Sequence, residues 1–186
     1  MNAIQTSSIT TPVFVNTWGN YNRHGANGGR WLTLPMEPKE LETQLAELAA
    51  AMGDHDPEFC IHDIDAVTPA AAALLQEHSD YDHPQQVNEI LLKLADLNEY
   101  KQLAVLAAME TGRYECISEA IENVDRIDFY EGVTFEEFAA NDADDLLDMY
   151  NVPRELRYYF DYAAYQRNLE IDDYTEVSNG VVYIHH

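Results

Sequence analysis

Residues 12–35 read PVFVNTWGNYNRHGANGGRWLTLP, and the two ends of this stretch decide the fold of the first third of the chain. The β-branched and aromatic run at 12–18 predicts one strand and GGRWLTLP at 28–35 a second, joined by a long Asn- and Gly-rich loop that is itself a candidate functional segment. Immediately downstream, Leu41, Leu45, Leu48 and Met52 recur at helical spacing, with Pro38 near the start and Gly53 just past the end. That pattern predicts an amphipathic helix over 38–52. EFCIHDID at 58–65 alternates well enough to form a third strand. The result is an N-terminal ββαβ-like module, residues 1–66.

The texture then changes. After Thr68-Pro69, a good N-cap and first-turn pair, the chain becomes rich in Ala and Leu, and helices are predicted at 69–77, 84–97 and 99–111, the last closed by Gly112. These make a central helical module, 67–112. Residues 115–124 continue helically, with Ile117, Ala120, Ile121 and Val124 on one stripe and Glu115, Glu119 and Glu122 on another. RIDFY at 126–130 predicts a strand, and Thr134 with Glu137 three positions on predicts a capping box. A short helix follows at 142–150. Pro153 opens a further helix carrying Leu156, Tyr159, Phe160 and Ala163, and the chain ends in two runs, 174–178 and 181–184, separated by the hairpin signal Asn179-Gly180. The third module, 113–186, is therefore α+β and ends in a hairpin, and the fold class of the whole is α+β.

Charge bounds the function. The chain of 186 residues carries 34 Asp and Glu against 10 Lys and Arg, a formal net of -24. A disordered acidic tail would be as charged, but hydrophobic residues make up 46% and aromatics 11%, enough for a core. Self-repulsion on this scale destabilises a compact state, which suggests that the negative field is the working part. No apolar run approaches the roughly 20 residues of a membrane span. The opening MNAIQTSSITTP lacks the regions of a signal peptide, so a cytoplasmic protein that contacts no membrane is expected. Cys60 and Cys116, far apart, read as reduced thiols rather than a disulfide scaffold.

Motifs of catalysis are weak. Cys60 and His62 share one strand face and Asp63 the other, with no second ligand pair at a zinc spacing. NDADDLLD at 141–148 resembles an EF-hand only in its acidity, since the Gly at the sixth position and the Glu at the twelfth are missing. There is no P-loop, no GxSxG and no dinucleotide fingerprint, and GANGG at 25–29 lacks a βαβ context. No catalytic, metal or cofactor residue is assigned, and the reading is of a protein that is not an enzyme. His185-His186 reads as a tag remnant without functional weight.

The acids are regionally concentrated. From Glu115 to Asp148 there are 12 (Glu115, Glu119, Glu122, Asp125, Asp128, Glu131, Glu136, Glu137, Asp142, Asp144, Asp145 and Asp148) and only Arg126 opposes them. A solvated helix face is the usual meaning of acids at helical spacing. An imbalance sustained across several elements departs from the ordinary mixture of signs and points instead to a surface that stands in for the phosphates of nucleic acid. Tyr158, Tyr159, Phe160, Tyr162 and Tyr165 offer anchors for a dimer interface, with ordinary core packing as the alternative.

The residues also carry a family resemblance. VFVNTWGNYNRHGANGGRWLTLP at 13–35 resembles the opening of ArdA-type antirestriction proteins, with Tyr21-Asn22, a Gly-containing loop, then Gly29 and Trp31 before a strand ending in Pro. FCIHDI at 59–64 is similar to that family's Ile-His-Asp segment, and LRYYFDYAAYQRNLEI at 156–171 to its C-terminal Tyr-Phe-Asp-Tyr stretch. The match departs in the loop at 20–29, longer here, and before Pro12. No individual essential residue carries over from 145–161.

The resemblance implies an elongated, three-module protein that dimerises through its C-terminal module and presents carboxylates in the pattern of bent B-DNA. It implies that such a homodimer occupies the DNA-binding groove of the methyltransferase core of type I restriction-modification enzymes, binds no nucleic acid itself, and protects an incoming conjugative plasmid or transposon. Two other classes stay open on the residues alone. A small metal-dependent hydrolase would use the carboxylates as ligands or acid-base pairs, and an acidic adaptor or chaperone would bind basic proteins broadly.

Overall fold

The computed structural model describes residues 8–76 and 83–185. The predicted helix end at Glu77, residues 1–7 of the opening segment and His186 lie outside the described residues. The chain begins β1 (Thr11–Thr17), α1 (Trp18–His24), β2 (Arg30–Leu34), α2 (Pro38–Met52) and β3 (Phe59–Ile64). These three strands form one antiparallel sheet in the order β2-β1-β3. Val13 and Val15 of β1 and Leu34 of β2 are fully buried against Leu41, Leu45 and Leu48 of α2. Each such side chain contributes about 1.5–3 kcal/mol by leaving water. Phe14 points to the other face, its ring 5.5 Å from that of its cross-strand partner Trp31. A side chain at Gly29 would place its Cβ 2.4 Å from the Phe14 ring, so only glycine lets the backbone pass there.

The connection between β1 and β2 is not the irregular loop that its Asn and Gly content predicts. Thr17 caps a helix there, its Oγ1 accepting from Asn20 N at 3.0 Å and donating to Asp54 Oδ2 at 2.8 Å. The buried Asn16 ties both ends together: its Oδ1 accepts from Asn20 Nδ2 and its Nδ2 donates to Gly25 O. Buried side-chain amides, rather than helix propensity, hold α1.

Three helices follow, α3 (Pro69–Gln76), α4 (Pro84–Ala95) and α5 (Glu99–Glu110), then α6 (Ile117–Glu122) and a 3₁₀ turn (Val124–Arg126). The largest core cluster joins the first sheet and α2 to Leu74, Val87, Leu91, Leu94, Val105, Ile117 and Val124. Asn88, buried in α4, accepts from Met36 N and donates to Met36 O at 2.8 and 2.9 Å, which fastens the strand exit to the helix. Val105, Leu106 and Met109 of α5 enter this cluster, whereas Ala104, Ala107 and Ala108 pack against Ile127, Phe129 and Val182 of the second sheet. Gln102 and every residue from Ala104 to Met109 are buried, as a helix packed on two sides requires.

The second sheet, β4 (Ile127–Glu131), β5 (Thr175–Val177) and β6 (Gly180–Ile184), is antiparallel with the order β4-β6-β5. Between β4 and β5 run α7 (Phe135–Met149), α8 (Arg154–Arg157) and α9 (Tyr162–Ile171). The molecule is thus α+β, with two small antiparallel sheets among the described residues. Among the described residues no helix is long and apolar enough to cross a membrane.

Four boundaries differ from expectation. The capping box and the short helix expected at 142–150 belong to one 15-residue helix, because Phe135, Phe138, Ala139, Ala143 and Leu147 make an unbroken buried stripe through the acidic middle. The helix expected from Pro153 is two, since Asp161 Oδ1 accepts from Ala164 N at 2.8 Å and starts α9 afresh. The hairpin turns at Ser178-Asn179, with Val177 paired to Gly180. Gly180 is already in β6, with φ 152°, and a Cβ there would lie 2.1 Å from Tyr130 O. The helix expected over 115–124 is confined to α6 plus the 3₁₀ turn.

Candidate functional site

The twelve acids span four consecutive elements. Glu115 precedes α6, which carries Glu119 and Glu122; Asp125 lies in the 3₁₀ turn; Asp128 and Glu131 are on β4; and the remaining six are on α7. All are exposed except Asp128 and Asp142, which are half-buried. Glu137 completes the capping box, accepting from Thr134 N at 3.1 Å and from Thr134 Oγ1 at 3.0 Å. The backbone hydrogen bond from Thr134 holds its carboxyl below the usual carboxylate range.

Lys101 and Arg157 neutralise part of this surface, and His185 adds a hydrogen-bonding contact. Lys101 Nζ lies 2.5 Å from Asp125 Oδ1, His185 Nε2 lies 2.8 Å from Asp128 Oδ2, and Arg157 bonds Asp148. His185, given no weight in the sequence, also donates its backbone N–H to Arg126 O and thereby closes the end of the second sheet. Among the described residues, the side-chain carboxylates of Glu136 and Asp145 accept no hydrogen bond and join no ion pair.

The spacing on α7 has a physical scale. Fifteen residues at about 1.5 Å each span about 22 Å. Six carboxylates on that length give about one charge per 3.7 Å, against about 3.4 Å per strand of B-DNA. Only Asp148 among the six is paired with a cation.

The aromatic residues divide. Tyr158 and Tyr159 are 89% and 81% exposed, which removes them from the core, and Leu156, Met149 and Tyr150 are exposed as well. Phe160 and Tyr165 are half-buried, their rings 5.7 Å apart, and Tyr165 packs on the cluster of Phe135, Phe138 and Leu169. Tyr162 and Tyr165 have a second relationship that their sequence position did not show. Tyr162 Oη donates to Asp144 Oδ1 at 2.6 Å, and Tyr165 Oη donates to Asp142 Oδ2 at 2.5 Å. The partners are 18 and 23 residues apart, so no local pattern could have revealed them.

Asp142 sits beside a tyrosine-rich surface. Burial and the carboxylates nearby push the Tyr130, Tyr165 and Tyr174 hydroxyls up, Tyr174 to about 12, while the Asp144 hydrogen bond raises Tyr162. All four phenols are therefore protonated donors at neutral pH. Phe138 connects two of them, with its ring 4.4 Å from Tyr130 and 5.2 Å from Tyr174.

Elsewhere, Cys60 Sγ and His62 Nε2 are 3.0 Å apart, with the His62 ring stacked on Tyr21 at 4.0 Å. Among the described residues no three His, Cys, Asp or Glu side chains approach closely enough to hold a metal ion. A hollow of about 290 Å³ between α3, α5 and the terminal hairpin is lined by Pro69, Ala72, Ala73, Leu106, Met109, Glu110 and Ser178, and Glu110 already accepts from Ser178 N. The carboxylate surface is the feature that distinguishes this α+β protein.

Such a molecule belongs to the class of highly acidic folded proteins whose surface charge exceeds what its own cations can offset. The family model described as antirestriction protein (ArdA) matches residues 13–183. The chain therefore belongs to the ArdA family of antirestriction proteins. No curated protein matches it.

Proposed function

We propose that this protein inhibits type I restriction-modification enzymes by occupying the DNA-binding groove of their methyltransferase core, as a mimic of duplex DNA. The observation that carries the reading is α7, where six carboxylates line about 22 Å of helix at nearly the axial charge density of one DNA strand. Lys and Arg residues that would meet phosphates meet Asp and Glu. Such an exchange steers association at long range and is screened by salt. A carboxylate on a fixed helix cannot be cleaved, translocated or methylated, so inhibition is by occupancy and the protein is not an enzyme.

In this proposal three modules, 1–66, 67–112 and 113–186, form an elongated monomer that pairs through its C-terminal module in the cytoplasm. The homodimer carries about the charge of 24 base pairs. Exposed Tyr158 and Tyr159 are its proposed contacts, since an exposed aromatic pair is the composition of an interface core. The setting is a mobile element entering a restricting host.

A competition titration tests the reading: a type I methyltransferase, labelled DNA carrying its recognition site, and this protein against an unrelated acidic protein. Displacement of DNA at stoichiometric concentrations, where the control fails, supports shaped mimicry. Displacement no better than the control overturns it and favours an acidic adaptor of broad range.

A further inference from the structure

The donors that meet α7 run along it in reverse order. Tyr165 holds Asp142, Tyr162 holds Asp144 and Arg157 holds Asp148, so donors descending the sequence meet acceptors ascending it. Tyr162 and Tyr165 are three apart on α9 and therefore neighbours on one helix face. Asp144 and Asp148 are four apart on α7 and likewise adjacent. Segment 157–165 thus lies antiparallel to the second half of α7 as a clamp on its carboxylates. Asp144 and Tyr162 are both exposed, so this bond does not serve to satisfy buried polar atoms.

We infer that Tyr162 and Tyr165 are positioning residues of the acidic surface, fixing the Asp144 and Asp142 carboxylates in one orientation before a cationic partner arrives. This rests on the DNA-mimic reading above. A carboxylate offers about four lone-pair sites, and a single hydroxyl uses one. One oxygen of each Asp is anchored, Oδ1 of Asp144 and Oδ2 of Asp142, and in this inference the other is the one that meets the partner's Lys or Arg. A phenol suits this task because it holds the anion without cancelling its charge, whereas Arg157 both holds and neutralises Asp148. Ordering two side chains in advance removes an entropic cost that the complex would otherwise bear.

The test uses the full chain with Tyr162→Phe and Tyr165→Phe combined, titrated against methyltransferase and labelled DNA at several salt concentrations. The expected result is affinity weaker by on the order of tenfold, with the slope of log affinity against log salt unchanged, because no charge is lost. Asp142→Asn with Asp144→Asn should instead reduce that slope. If the double Phe variant is unstable, the single Tyr162→Phe change at the exposed hydroxyl is read alone. A cycle of Tyr162→Phe with Asp144→Asn should be non-additive, since each change removes the same bond. Displacement by the Phe variant equal to that of an active parent, or strict additivity in the cycle, overturns positioning. Failure of the parent protein itself to outcompete an acidic control would remove the DNA-mimic reading, and this inference with it.

Discussion

Glu176 Oε1 accepts the backbone N–H of Phe135 at 3.1 Å, so the strand just before the terminal hairpin turn caps the first turn of α7. With the Thr134 and Glu137 box, this end of the helix has three side-chain acceptors for its first backbone N–H groups. A helix this rich in like charge repels itself, and a firm N-terminus with carboxylates near its positive dipole end offsets part of that strain.

Thr134→Ala should therefore destabilise the protein by about 1 kcal/mol, the usual cost of losing such a cap. Chemical denaturation followed by circular dichroism reads it, with a lower midpoint and an unchanged slope. An unchanged midpoint would show that Glu176 alone suffices to hold the helix end.

The acidic surface predicts a graded response to charge. Glu136→Lys with Asp145→Lys alters two exposed carboxylates that support no hydrogen bond, so the fold should survive. DNA displacement from the methyltransferase should weaken, mainly through a slower association rate, and the loss should shrink in high salt. Extending the reversals to others between Glu115 and Asp148 should deepen it. A folded variant with undiminished inhibition would take this region out of the mechanism.

Much of this fold is legible in the chain, and the exceptions share a cause. The alternation of Val13, Val15, Leu32 and Leu34 and the repeat of Leu41, Leu45 and Leu48 are local patterns, and the sheet and α2 follow them. The Thr134 box is local too. By contrast α1 depends on Asn16 and Asp54, the latter 37 residues from its partner Thr17, and its own residues WGNYNRH favour no helix. The break at Asp161 was hidden because Leu156, Tyr159, Phe160 and Ala163 keep helical spacing across it. For the site, the acids were visible as a count and the Tyr-to-Asp pairs were not, since they depend on how α9 lies against α7.

Tyr158 and Tyr159 lie with their rings edge to face at 5.7 Å and almost wholly in solvent. Tyr159→Ala should therefore cost little monomer stability, because it empties no core. In the proposed dimer the same change should shift sedimentation toward the monomer, as loss of an aromatic anchor weakens association by ≥ about 2 kcal/mol. Unchanged sedimentation with an unchanged thermal midpoint would move the interface elsewhere.

The tyrosine surface predicts an alkaline limit. In the folded chain the Tyr174 hydroxyl is raised to about 12, first by burial and then by the Tyr130 and Asp142 charges nearby, from an ordinary value near 10. Between these two values the folded state keeps a proton that the unfolded state has lost, so stability must fall as pH rises through this window. Below pH 10 the contribution is fully present. Stacking of Tyr174 on Tyr183 at 4.5 Å ties that loss to the second sheet. Thermal midpoints measured from pH 8 to 12 should stay level at first and then drop. Tyr174→Phe, which cannot ionise yet keeps the ring contacts with Phe138 and Tyr183, should drop less steeply than the parent. Parallel curves for the two proteins would mean that other phenols, Tyr130 and Tyr165 foremost, set the limit.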